Sequence, residues 1–309
     1  MANYPRRTFI KNAALVSAIP WDGLLGSLRR LAAGRMGPES ELHRIMTCNI
    51  RVDLPEDEEK GFGWQSRKAI CAQIIAAHQP DIICLQEVLK GQMEDLKDAF
   101  PAFSAFGFEG PEMDAHPTGY HGIAKNPILF SSERYELVGG GCYWLAETPL
   151  IGGSISWNSA RARHANYVRL QDKNTKREFR VVNLHLDHLS QEAREKQIGV
   201  VLEESHQYTA DFPQLLTGDF NAGMANPVYR LVKAKGWTDS YTALHGNSEP
   251  GYTVHQFKGD RYEKKDRGKK IDFIFSKGTV KPTVAEIIRD HVAGKYPSDH
   301  YFVSATVRL

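Results

Sequence analysis

Gln214-Leu215-Leu216-Thr217-Gly218-Asp219-Phe220-Asn221 sets the pattern for the whole chain. Its apolar first half predicts a strand over 214–217, and that strand delivers Asp219 and Asn221 at its end. The same figure recurs on both sides. Upstream, Val181-Val182-Asn183-Leu184, within a strand predicted over 179–186, delivers His185-Leu186-Asp187-His188. Further upstream, Ile45-Met46-Thr47-Cys48 delivers Asn49, and the apolar run 81–85 delivers Gln86-Glu87. Downstream, Ile271 introduces Asp272 in a strand over 271–275, and Ser298-Asp299-His300 leads into a last strand over 301–307.

Between these strands the sequence predicts others over 42–53, at 128–130, around Tyr143 and at 167–170. Helices are expected at 64–78, where Ala69, Ile70, Ile74 and Ala77 follow helical spacing until Pro80 stops it, and at 191–208 and 227–235. Strands outnumber helices and do not strictly alternate with them. That order argues for two packed sheets flanked by helices rather than one doubly wound sheet.

The 309 residues carry 39 Lys+Arg against 37 Asp+Glu, a formal charge of +2, with 41% hydrophobic and 25% charged residues. Disordered and fibrous classes are excluded, and so is a nucleic-acid binder that works by bulk positive charge. No apolar run reaches the roughly 18 residues needed to span a bilayer. Residues 1–40 read as a leader and linker: Arg6-Arg7-Thr8-Phe9-Ile10-Lys11 before the modest apolar stretch 13–21 resembles a twin-arginine export signal. A periplasmic or extracellular location is therefore expected, with one domain over 41–309 and a monomeric state. Cys48, Cys71, Cys84 and Cys142 have no metal or redox spacing and read as buried apolar side chains, although their even number permits a bridge.

Taken singly, each polar strand end has a structural explanation in turn or cap chemistry. Six in one chain are another matter, because carboxylates and amides are costly to bury without partners. Together they supply an oxygen-rich site for Mg²⁺ or Mn²⁺ and two histidines.

These pieces, Cys48-Asn49-Ile50, Leu85-Gln86-Glu87, Asn183-Leu184-His185-Leu186, Gly218-Asp219-Phe220-Asn221, Lys270-Ile271-Asp272-Phe273-Ile274 and Ser298-Asp299-His300-Tyr301, resemble the endonuclease/exonuclease/phosphatase superfamily, whose fold is deoxyribonuclease I-like. Thr253-Val254-His255-Gln256-Phe257-Lys258-Gly259 and His185-Leu186-Asp187-His188 are similar to a secreted bacterial branch. The resemblance implies a four-layer α/β sandwich and a divalent-metal-dependent phosphoesterase. It places the metal on Glu87, Asn49 and Asp299, and gives Asp219 the attacking water. Asn221 would fix the phosphate or the water, Asp272 would pair with His300, His185 would donate to a phosphoryl oxygen, and Arg163 would contact the substrate phosphate. For Arg163 the plainer reading is a solvated strand edge.

One departure stands out. Relatives carry a Gly-Glu acid shortly before the Pro-Ile of a strand to brace the histidine matched by His185, and Ile123-Ala124-Lys125-Asn126-Pro127-Ile128 has none. Asp187, two residues from His185, is the nearest acid that could replace it. The substrate is a phosphate ester; nucleic acid is compatible with the fold but not indicated by the charge. The loop 258–270 holds seven basic residues and three acids, and reads either as a grip for a polyanion or as a solvated charged loop. Tyr143-Trp144 and Trp157 read as core or rim aromatics ahead of base-stacking platforms. A catalytically weak ligand-binding protein that retains the fold is the alternative reading.

Overall fold

The computed structural model describes residues 41–107, 124–264 and 268–309. The leader assigned to 1–40 lies outside them.

Among the described residues the apolar runs form twelve strands in two six-stranded sheets. In the first sheet, β1 (Leu42–Asn49) pairs in parallel with β2 (Ile82–Gln86) and antiparallel with β12 (Phe302–Arg308). Outside these lie β4 (Ile128–Ser131) and β3 (Phe103–Phe106) on one flank and β11 (Lys281–Ile288) on the other. The second sheet runs β5 (Tyr135–Trp144), β6 (His164–Asp172), β7 (Glu178–His185), β8 (Gln214–Asp219), β10 (Asp272–Lys277) and β9 (Thr238–Asp239), with β7 and β8 parallel.

Side chains alternate across each strand, and the cores follow that alternation. Ile45, Ile82 and Cys84 point into a core shared with Val168, Val181, Leu215 and Ile274 of the other sheet, so the sheets pack face to face. Met46, Ile83 and Leu85 point the opposite way, onto α2 (Trp64–Ala77) and α3 (Lys90–Ala99). Val182, Leu184, Leu216 and Phe275 point onto α4 (Gln191–Ser205) and α5 (Pro227–Ala234). The result is the expected four-layer α/β sandwich. Ser190 caps α4 by accepting from Ala193 N (3.1 Å), and Asn226 caps α5 by accepting from Val228 N (3.0 Å), with Pro227 in the first turn.

A polar seam crosses the inter-sheet core beneath one edge. Gln86 Nε2 donates to Asn183 Oδ1 (2.7 Å), and Asn183 Nδ2 donates to the carbonyls of Leu85 (2.7 Å) and Pro127 (3.2 Å). Thr217 Oγ1 reaches the same Asn183 Oδ1 (3.2 Å). Gln86 thus joins the sheets, while its neighbour Glu87 turns towards the cleft.

Several expectations need correction. The strand predicted over 42–53 ends at Asn49, where the chain turns through Arg51 at φ 60. The short helices α1 (Pro55–Glu59) and α6 (Ser240–His245), together with α3, β3, β9 and β11, go beyond the predicted elements; α3 buries Met93, Leu96 and Ala99 at helical spacing that the sequence reading passed over. All four cysteines are free, three of them fully buried. Among the described residues no helix is long and apolar enough to cross a membrane.

Candidate active site

Strand direction alone brings the polar strand ends to one edge. β1 and β2 are parallel with Asn49 opposite Gln86, and β7 and β8 are parallel with His185 opposite Asp219. β10 runs antiparallel to β8, so its first residue, Asp272, also faces Asp219. His300 enters from the segment just before β12, which is antiparallel to β1. Three polar residues at this edge, Arg51, Glu87 and Asn221, hold left-handed backbone at φ 60, 63 and 47. Non-glycine residues accept that conformation at a cost of about 1–3 kcal/mol, so tertiary contacts hold them there.

Asp219 is the hub. Its Oδ2 accepts from Asn49 Nδ2 (3.1 Å) and lies 3.4 Å from His185 Nε2 and 3.9 Å from His300 Nε2. Its Oδ1 accepts from the backbone N–H of Asn221 (2.8 Å). Burial and the nearby Asp272 charge push the Asp219 carboxyl up to about 7. Asn49 Nδ2 also donates to Glu87 Oε1 (3.0 Å), and Val52 N donates to Glu87 Oε2 (2.9 Å). Burial would raise Glu87, but these bonds and the charges of His300 and Arg51 hold it below its ordinary range.

His300 Nδ1 meets Asp272 Oδ2 at 3.0 Å. Burial would lower this imidazole, yet Asp272, Asp299 and Asp219 hold it well above its ordinary value. His185 is driven the other way by burial and by the charges of Arg163 and His300. Asn221 Nδ2 donates to the carbonyl of Leu186 (3.0 Å) and to His185 Nε2 (2.9 Å). Nε2 of the neutral ring is therefore an acceptor, and Nδ1 carries the proton. The same site thus pushes the two imidazoles in opposite directions.

Asp187 does not brace His185. Its carboxylate binds Ser159, Ala160, Leu189 and Ser190 instead. Arg163 is buried, against the reading of a solvated strand edge, and contacts His188. Asp299 lies 3.6 Å from Arg51 Nη1. The Thr253–Gly259 motif buttresses that residue's loop: His255 N and Gln256 N both donate to Asp299 O (2.8 and 3.1 Å), and Tyr301 N donates to Thr253 O (2.7 Å).

In the basic loop 258–270, residues 265–267 lie outside the described residues. Lys258 pairs with Glu263 (3.1 Å), and Lys270 is fully buried against Asp239 (3.4 Å) and 3.5 Å above the Phe273 ring. Tyr143 and Trp144 are buried, as core aromatics.

Sequence reading missed Arg67. From α2 its guanidinium donates to the carbonyls of Ile50, Arg51 (2.6 Å), Phe62 (2.9 Å) and Pro297 (3.1 Å). It ties the end of β1 to the loop that carries Asp299 and His300. A lone arginine in a helical stretch gives no local sign of this role.

The donor set fits a hard divalent cation. Glu87 is held ionised, and burial together with the Glu87 charge pushes Asp299 up, so two carboxylates crowd each other where a cation would relieve both. Asp219, Asp272 and His300 also offer ligand atoms within 4.8 Å of one another, and Asp272 Oδ1 is buried without a hydrogen-bond partner. Glu87, Asn49 and Asp299 form the other candidate set, in which Asn49 Nδ2 faces Glu87 and Asn49 Oδ1 accepts from Arg51 N (3.0 Å).

A carboxylate hub with amides and two imidazoles is equipped to act on phosphate esters. The chain belongs to the endonuclease/exonuclease/phosphatase family, whose model matches residues 46–300. A family structure from Bacteroides vulgatus is 30% identical, with a TM-score of 0.77 over 87% of this chain and 99% of that one. A mannosyl-6-phosphatase from Bacteroides thetaiotaomicron is 26% identical, with a TM-score of 0.76 over 86% of this chain and 100% of that one. Human Nocturnin is 27% identical over 241 residues, 70% of this chain and 52% of its own length. The chain spans about half the length of the curated relatives it matches.

Proposed function

We propose that the protein is a divalent-metal-dependent phosphoesterase that cleaves its substrate by in-line attack of water. The observation that carries this reading is the placement of Asp219 Oδ2, within 4 Å of Asn49, His185 and His300 at the edge where both sheets open. A carboxylate so placed can orient a water and take its proton. Asn49 holds the Glu87 and Asp219 carboxylates in register by donating to both. His300, aligned by Asp272, brings positive charge and an N–H donor to the side where negative charge develops. Glu87, Asn49 and Asp299 would hold Mg²⁺ or Mn²⁺, which when bound neutralises the phosphoryl oxygens.

The Arg6-Arg7 leader supports export to the periplasm or beyond. Fusing residues 1–40 to a reporter checks this: export that stops when both arginines become lysine supports it, and retention of the unaltered fusion inside the cell counts against it.

The hydrolytic reading is tested with p-nitrophenyl phosphate and bis-p-nitrophenyl phosphate in Mg²⁺, Mn²⁺ or EDTA. Metal-dependent release lost in Asp219→Ala is the expected result. Equal turnover by Asp219→Ala and the unaltered protein would overturn it.

A further inference from the structure

The loop that leaves β7 holds a device outside the hub. Asp187 is fully buried, and its carboxylate accepts four hydrogen bonds. Oδ1 accepts from Ser159 Oγ (3.1 Å) and Ala160 N (2.8 Å), and Oδ2 from Leu189 N (2.9 Å) and Ser190 N (2.7 Å). Its own N–H donates to Gln197 Oε1 (2.8 Å), whose Nε2 returns a bond to Ser159 Oγ (3.0 Å). One side chain therefore fastens the segment before β6 to the segment after β7. Those segments carry Arg163 and His188.

Arg163 is 7% exposed, and no carboxylate pairs with it among the described residues. Its Nη2 meets His188 Nδ1 at 3.3 Å, and its buried Nε has no partner. A guanidinium only donates, so Nδ1 of His188 accepts and the proton of the neutral ring sits on Nε2. Asp187 Oδ1 lies 4.0 Å from the same Nδ1. Asp187 balances the Arg163 charge from behind His188, but the buried Nε–H still lacks an acceptor, and an anion supplied from outside would provide one. The β6–β7 ladder ends with Ala165 opposite Leu184, so Arg163, two residues before Ala165, and His185, one residue after Leu184, lie at the same end of that ladder. A phosphodiester offers two non-bridging oxygens and one negative charge. A phosphomonoester offers three oxygens and up to two charges, so it gains more from an extra cation and extra donors.

We propose that Asp187 is a positioning residue that holds Arg163 and His188 as a phosphate-recognising pair, and that this pair selects a terminal phosphomonoester over a diester. The inference rests on the hydrolytic reading above and names the substrate class of that same site.

The test compares kcat and KM for p-nitrophenyl phosphate and bis-p-nitrophenyl phosphate in the full chain with Mn²⁺. Calorimetric binding of inorganic phosphate in EDTA gives a readout independent of turnover. His188→Ala and Asp187→Asn are expected to lower the monoester-to-diester ratio of kcat/KM at least tenfold, mainly through KM, and to weaken phosphate binding at least fivefold. His188→Gln, which keeps a donor, is expected to return the ratio to within threefold of the unaltered protein. An unchanged ratio in folded Asp187→Asn and His188→Ala overturns the proposal and leaves Asp187 as a fastening of the fold. Diester turnover without phosphate binding overturns the pair alone. Phosphate binding that depends on His188, with neither ester cleaved, upholds the pair and overturns the hydrolytic reading.

Discussion

His300 Nδ1 and Asp272 Oδ2 lie 3.0 Å apart, both buried, one at the entry to β12 and the other at the first residue of β10. The contact spans the two sheets, so the protonation state of the imidazole depends on their alignment. Replacing Asp272 by Asn removes the charge and keeps the shape. The expected outcome is a fall in kcat on the order of 10²–10⁴-fold, the range of one positioned proton-transfer group. In the same variant the His300 titration seen by NMR moves down in pH. A titration that stays in place would show that Asp299 and Asp219 suffice.

Acid should weaken the fold before most carboxylates titrate. Burial lowers His43, His164 and His255 to about 3, so between pH 6.5 and about 3 the unfolded chain binds protons that the folded chain refuses. Stability is fully present above pH 6.5 and is lost as pH falls, by up to about 1.4 kcal/mol per unit for each histidine. Asp219, raised to about 7, and Asp299, also raised, act in the opposite sense, but His185 and His188 are lowered as well and join the three histidines. Urea midpoints taken from pH 7 to 4 check the sign; a flat profile would mean that the rings take up protons in the folded state.

Gly218 and Gly199 should respond oppositely to alanine. Gly218 sits at φ 139, and a Cβ there would lie 2.0 Å from the carbonyl oxygen of Leu184 on the neighbouring strand, which cannot yield. Gly218→Ala should cost more than about 3 kcal/mol and displace Asp219. Gly199 lies in α4, and a Cβ added there would meet nothing within 4 Å, so Gly199→Ala should add about 0.5–1 kcal/mol. Thermal melts of the two variants decide the matter.

Metal should stabilise the fold through Glu87. Mn²⁺ at 100 times its dissociation constant adds about 2.7 kcal/mol to a protein that binds it only when folded. EDTA should reverse the gain, and Glu87→Gln should abolish it. A full Mn²⁺ shift in Glu87→Gln would move the site to Asp219, Asp272 and His300.

What could be read from the sequence follows burial. β2 and β8 are buried on both faces and announce themselves as apolar runs, with Glu87 and Asp219 legible at their ends. β11 is an edge strand, exposed along much of Lys281–Ile288 and paired only with β12, so it carries little apolar signal. The site residues found by reading are those whose chemistry is local to a strand end. Arg67 and the Lys270–Asp239 pair escaped because their partners lie far away in sequence, and no spacing encodes a bond to a backbone carbonyl.

The pairing of β1 with β12 also sets an order of events in time. Residues 42–49 leave the ribosome well before their partner at 302–308, which is made about 260 residues later by the numbering of the register. Until then one side of β1 has no ladder, and His300 has not joined Asp272. The hub therefore cannot be completed until residues 300–308 have been made, which ties the assembly of the site to the pairing of β1.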